Sequence, residues 1–231
     1  MSLELLWCAA HAYCVLTNEY QKAHDSGAAF FNSGATSRCR RALTLYDWAL
    51  RKCVDRLDET WPSDATMPTK EASNGSDIWA ANELFLISVA WIIHHEIAHV
   101  HLGHPTVTTR SIDEEKEADL SGTKWVLPDA GAIAEITKRT LGIATAILVL
   151  TACDLRAHSF RASTHPRSFE RLMYCVAHGE LAEDHRIYAV IFVLLQIHLA
   201  DVPRLNLILS NHYNKIDYFR LKMWSLNSID F

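Results

Sequence analysis

From Asp77 to Leu102 the chain has neither proline nor glycine, and inside this stretch lies His95-Glu96-Ile97-Ala98-His99. On an α-helix, residues four apart stand one above the other, so the imidazoles of His95 and His99 can converge on one metal ion while Glu96 reaches its open side. One helical turn then offers two ligands and a general base. The run Leu84 to Ile93 makes the segment apolar nearly all the way round, the pattern of a helix buried in a core. Ser76 or Asp77 can cap its start, and Gly103 followed by Pro105 can stop it. Burying a His-Glu-His set carries a desolvation cost that metal binding would meet. Short patterns of this kind also arise by chance, so the rest of the chain has to supply a third ligand.

A second segment does so. Ser111 followed three residues later by Glu114 is a capping-box pattern opening a helix to about Leu127. Glu115 and Asp119 are four apart on one face of it, with Ala118 and Gly122 as small neighbours that would let this helix approach the metal helix closely. Glu115 is the expected third ligand. Asp119 is placed to accept the outer N–H of a ligand imidazole and fix its tautomer. Asp113, Glu114 and Glu117 need no more than the preference of a helix start for negative charge. His101 and His104 turn away from the His95/His99 face and are read as surface residues or as supports behind the ligands.

The remaining composition is that of an ordinary globular chain. With 231 residues, 49% of them hydrophobic and 10% aromatic, one domain over 1–231 with a sizeable core is expected. A net charge of −5 gives no general attraction to nucleic acid. The six cysteines, at 8, 14, 39, 53, 153 and 175, show no Cys-x-x-Cys pair and suit a reducing compartment. No basic region precedes an apolar run at the N-terminus, so a cytoplasmic location is the expectation. Nothing in the sequence speaks to oligomeric state.

Two helices are expected in the first third, from Leu3 to about His24 and from a Ser37 cap to about Leu57. Arg38, Arg40, Arg41, Arg51, Lys52 and Arg56 cluster on the second, interleaved with Asp47, Asp55, Asp58 and Glu59, as on a solvated helix face. Thr60 to Ser76 carries two prolines and several turn-formers and reads as a loop, either a lid over the site or a plain surface connection.

With these residues in view, His95-Glu96-x-x-His99 and Glu115-x-x-Ala118-Asp119 resemble the gluzincin metallopeptidases, in particular the HtpX and CAAX prenyl protease group. Thr164-His165-Pro166 followed by Arg171 is similar to the His-Pro-x-x-x-x-Arg segment of that group. The run Ser88 to Glu96, the short spacing to Glu115 and the chain length look closest to the Lit-like phage-exclusion peptidases. The core motifs span 77–172. Metzincins differ: their third element would need Gly and His where Leu102 and Pro105 stand. The resemblance implies that His165 helps bind the substrate or its oxyanion and that Arg171 braces the site. The His165-Pro166 junction by itself equally suits a helix cap.

Asp129 to about Leu155 and Ile187 to Leu199 are further apolar helices whose greasy runs fall short of the roughly 20 residues that span a bilayer, so core helices rather than membrane insertion are expected. The expected fold is mostly α, a helical bundle around a buried His-Glu-x-x-His metal helix, with at most a short strand near Phe30 or Val107. The expected activity is zinc-dependent hydrolysis of peptide bonds in a protein substrate, and the resemblance to Lit-like peptidases implies a host protein cut during phage exclusion. In it His95, His99 and Glu115 hold Zn2+, the fourth position is left to water, and Glu96 is the base. The rival reading is a binding or sensor protein that keeps the zincin scaffold without turnover.

Overall fold

The computed structural model describes residues 1–28, 31–105, 111–127, 132–157 and 168–199. Among these residues there are seven helices and no strand: α1 Leu3–Asp25, α2 Ser37–Val54, α3 Asp77–His101, α4 Ile112–Val126, α5 Ile133–Arg156, α6 Ser168–Ala177 and α7 Arg186–Leu199. The starts follow local chemistry. Ser2, Thr36, Ser76 and Ser111 each place a side-chain oxygen on a backbone N–H two or three residues into α1, α2, α3 and α4. The cap of α2 is thus Thr36, one residue before the expected Ser37, and that helix ends at Val54 rather than near Leu57. α3 stops where Gly103 takes a φ of 71°, a left-handed conformation that glycine adopts without strain. The expected helix start at His165-Pro166, the residues near Asp129, and Phe30 and Val107 lie outside the described residues.

Helix α1 is the core element: every residue from Leu5 to Leu16 is buried. It packs against α2, α3, α5 and α7, while α3 packs against α1, α4 and α5. Among the described residues, these three helices leave part of the metal helix uncovered. Its ligand face is buried, but Leu86 (59% exposed), Ile93 (50%), Ile97 (50%) and Val100 (82%) face outward. An apolar composition all the way round suggested full burial, and the limited number of packing partners explains the difference.

Two close crossings fix the position of α3. Ser88 is fully buried, and its Oγ lies 2.7 Å from the Gly142 carbonyl of α5 and 2.8 Å from that of Leu84, sharing one hydroxyl hydrogen between them. On the other side, a Cβ on Gly122 of α4 would stand 3.1 Å from the His95 backbone nitrogen and 3.2 Å from the Trp91 carbonyl oxygen. Trp91, 1% exposed, donates its indole N–H to Thr123 Oγ1 at 3.0 Å. Small residues on α4 thus bring two backbones together at the first ligand.

By length and composition alone α3 and α5 are each long and apolar enough to cross a membrane, although the greasy run Leu141 to Cys153 inside α5 is itself shorter than a span. Flanking residues extend both beyond their greasiest runs. In α5, 61% of the apolar window is buried inside the bundle, against 33% in α3.

The 60–76 loop is anchored by Trp61, whose ring lies 5.4 Å from that of Trp48 and 6.0 Å from that of Trp7. Asn82 Nδ2 ties it to α3 through the Thr69 carbonyl at 2.9 Å. It joins α3 at the end opposite the histidines, about 27 Å away along the helix at 1.5 Å per residue, and so is a connection rather than a lid. In the basic cluster, Arg38 binds Asp77 and Glu19, and Arg51 binds Asp47 four residues earlier, as on a charge-balanced surface.

Candidate metal centre

His95 and His99 leave α3 one turn apart, and Glu115 leaves the first turn of α4 opposite them. All three side chains are buried, Glu115 completely. His95 Nε2 lies 3.1 Å from His99 Nε2 and 3.5 Å from Glu115 Oε2, and His99 Nε2 lies 3.5 Å from Glu115 Oε1. Donors about 2.0 to 2.2 Å from a tetrahedral ion stand roughly 3.3 to 3.6 Å apart, so the spacing fits a small divalent cation. Among the described residues this is the group of His, Cys, Asp and Glu side chains that could hold a metal. The electrostatics agree. Burial works against charge on His95, yet its hydrogen bonds to Asp119 and Glu115 outweigh that and raise its pKa above the ordinary 6.5. This pocket favours positive charge.

Each ligand histidine is held from behind. Asp119 Oδ1 lies 2.9 Å from His95 Nδ1, and a carboxylate can only accept, so His95 carries its proton there and turns the Nε2 lone pair toward Glu115. Asp119 is completely buried and is itself gripped by Arg171 of α6, with Nε to Oδ2 at 2.8 Å and the second guanidinium nitrogen to Oδ1 at 2.6 Å. The Arg171 guanidinium also lies over the Trp91 ring, 5.7 Å from its centroid. Behind His99, Nδ1 is 2.9 Å from His104 Nδ1, and His104 Nε2 is 3.2 Å from Glu117 Oε2. A donor chain from His99 through His104 to Glu117 therefore leaves His99 Nε2 as a lone pair.

The His104 contact is one that helix geometry does not supply. Extrapolated along α3, His104 points away from His99, but the left-handed Gly103 reverses the chain and brings it back. A glycine directly after a periodic segment was the available signal. Glu117 likewise serves His104 rather than only the helix start.

Glu96 stands apart from the buried group, with its side chain 60% exposed and Oε1 4.0 Å from His95 Nε2. A carboxylate at the open edge of three converging donors can exchange a proton with a water or substrate placed there. His101 is exposed, and His94 stacks on Trp125 of α4 with ring centroids 3.4 Å apart and planes 17° from parallel. His165 lies outside the described residues, so the structure brings together His95, Glu96, His99, Glu115, Asp119 and Arg171 of the expected set.

Sequence comparison is consistent with this arrangement. The cell death peptidase of Escherichia coli strain K12 is 35% identical over 197 residues, 84% of this chain. The chain spans 66% of that relative's length. No solved structure matches. The model of the Peptidase U49 family matches residues 1–191, which include all three helices that build the centre, and the chain belongs to that family.

Proposed function

We propose that this protein is a zinc-dependent endopeptidase of the gluzincin type, acting in the cytoplasm on a protein substrate. The observation that carries this reading is the convergence of His95 Nε2, His99 Nε2 and the Glu115 carboxylate at 3.1 to 3.5 Å, with the exposed Glu96 carboxylate beside them. Three protein ligands are the catalytic rather than the closed structural pattern. Membership of a peptidase family supports the reaction class, and the name of the relative supports a target within the cell. The resemblance to phage-exclusion peptidases makes a host protein cut during infection the favoured target.

When bound, zinc supplies Lewis acidity, making water acidic enough to ionise near neutral pH and polarising a carbonyl oxygen. The chain does the rest. Glu96 accepts a proton from the attacking water and returns it to the leaving amide nitrogen, a role that typically contributes about 100- to 10,000-fold. Asp119 and His104 keep His95 and His99 in the tautomers that present Nε2 inward. Arg171 locks Asp119, so the ligand set needs no rearrangement before reaction. The resemblance to the His-Pro-x-x-x-x-Arg segment supports a role for His165 as a donor to the developing oxyanion.

The test compares new protein termini in cells producing the wild type or Glu96→Gln, together with metal content of both purified proteins. Zinc at one equivalent in both, with new termini only in the wild type, is the expected result. Equal cleavage by Glu96→Gln, or no zinc in either, refutes the mechanism.

A further inference from the structure

The outer face of α3 is apolar where a solvated surface would be polar. Trp79, Leu86, Ile93 and Val100 recur every seven residues along it and are 36%, 59%, 50% and 82% exposed. Glu96 opens onto the same side. On a helix the residues three or four away from Glu96 are Ile92, Ile93, His99 and Val100, each with its Cβ about 5 to 6 Å distant. His99 turns inward as a ligand and Ile92 is half-buried, so among the described residues of α3 the side chains that frame the Glu96 carboxylate outside the bundle are Ile93, Val100 and the adjacent Ile97.

We propose that Ile93, Ile97 and Val100 are specificity-determining residues, forming the surface on which an extended apolar segment of the substrate polypeptide lies with its cleaved bond at Glu96. The inference rests on the reading of Glu96 as the base that serves a bound peptide.

The geometry commits the face to this occupant. A peptide whose reacting carbonyl sits between Glu96 and the His95/His99/Glu115 group advances about 3.3 Å per residue, so the side chains one or two positions from the cleaved bond reach Ile93 or Val100. Apolar side chains gain by covering these residues. Charged ones would lose water against this apolar surface, and acidic ones would also meet Glu96. The apolar stripe and the reactive edge are thus continuous, and the binding surface begins at the catalytic carboxylate.

The experiment measures binding to full-length, zinc-loaded Glu96→Gln by fluorescence polarisation, so that it does not depend on turnover. The probes are two pools of labelled dodecapeptides, one with Leu, Ile, Val and Phe at the central four positions and one with Ser, Asn and Glu there. The apolar pool should bind at least tenfold tighter. Adding Ile93→Gln or Val100→Gln should weaken it by roughly tenfold each, with zinc content and melting temperature unchanged. Equal binding of both pools, or Gln variants that bind as the parent does, overturns the proposal. So does a finding that the Gln substitutions only abolish self-association in sedimentation, or only abolish partition onto phosphatidylglycerol vesicles, since a second copy or a lipid surface would then own the face. Parallel digestion of the apolar pool by the wild type separates the two readings. Selective binding without cleavage leaves the surface standing and the peptidase mechanism refuted.

Discussion

Arg171 and Asp119 lie 52 residues apart in sequence and meet through two hydrogen bonds, of 2.8 and 2.6 Å, in a place where neither side chain is more than 8% exposed. Asp119 Oδ1 also faces His95 Nδ1 at 2.9 Å. Removing one partner of a buried pair leaves an uncompensated charge, which typically costs about 3 to 5 kcal/mol. Arg171→Ala should therefore lower the unfolding free energy measured in urea by that order and weaken zinc binding tenfold to a hundredfold through the loosened imidazole. Arg171→Lys keeps the charge but not the fork and should recover only part of the loss. Unchanged zinc affinity in Arg171→Ala, measured by chelator competition, would show that Arg171 matters for folding alone.

The closeness of α3 and α4 has its own test. Gly122→Ala puts a methyl group 3.1 Å from the His95 backbone nitrogen, and backbone cannot step aside as a flexible side chain can. The helices must separate by a few tenths of an ångström just where Glu115 faces the histidines. A loss of about 1 to 3 kcal/mol in stability is expected, with weaker zinc binding. Gly34→Ala, whose new methyl would touch only Asn32 Oδ1 at 3.4 Å, is the matched control and should be nearly silent. Equal effects of the two substitutions would remove the argument for a close crossing.

Three glutamates in the first turns of α4 have different jobs, and alanine at each should separate them. Glu115→Ala removes a buried carboxylate from the donor group and should abolish stoichiometric zinc. Glu114 receives the Ser111 backbone N–H at 2.6 Å as part of the capping box, so its loss should cost about 1 kcal/mol of stability and spare the metal. Glu117, 64% exposed and bound to His104, should weaken zinc only modestly. Zinc lost from Glu117→Ala but kept by Glu115→Ala, by elemental analysis after dialysis, would reverse the assignment.

Local signals made most of this fold legible. Ser76, the Ser111/Glu114 box and Gly103 mark helix ends through side-chain and backbone chemistry that neighbours in sequence supply, and the structure uses all three. The Glu115, Ala118, Asp119 and Gly122 face was readable for the same reason, being a spacing within one helix. What needed the tertiary structure was how many neighbours each helix acquires. Composition alone could not tell that α1, over Leu5 to Leu16, is enclosed on all sides and α3 is not, nor that Leu86 and Val100 stay exposed. The His104 contact with His99 depends on a chain reversal, and the bidentate grip of Arg171 on Asp119 depends on how α6 docks, which no periodicity encodes.

A pH dependence unrelated to the metal follows from the far side of the bundle. His198 Nε2 lies 2.6 Å from the Tyr13 hydroxyl, and burial pushes the pKa of His198 down from 6.5 to about 4. Burial also raises the pKa of Tyr13, so the neutral phenol donates and the neutral imidazole accepts. Protonating His198 would remove that acceptor and put a cation beside two buried tyrosines, Tyr13 and Tyr46, whose rings lie 5.8 and 5.6 Å from its own. His11, stacked on Trp7 at 5.3 Å and shifted the same way by burial, adds to the effect. Because the folded pKa lies below the unfolded one, the unfolded chain binds more protons in this window and stability rises with pH. The contribution of His198 is complete above about pH 6.5, fades as the pH falls toward 4, and amounts to at most about 3 kcal/mol. Urea unfolding at pH 7.5, 6.5, 5.5 and 5.0, with a chelator present throughout so that metal release plays no part, measures it. His198→Phe should be less stable than the wild type at pH 7.5, having lost the acceptor for Tyr13, but its stability should change less between pH 6.5 and 5.0. If the two proteins lose stability in parallel across that interval, His198 is not the group that titrates.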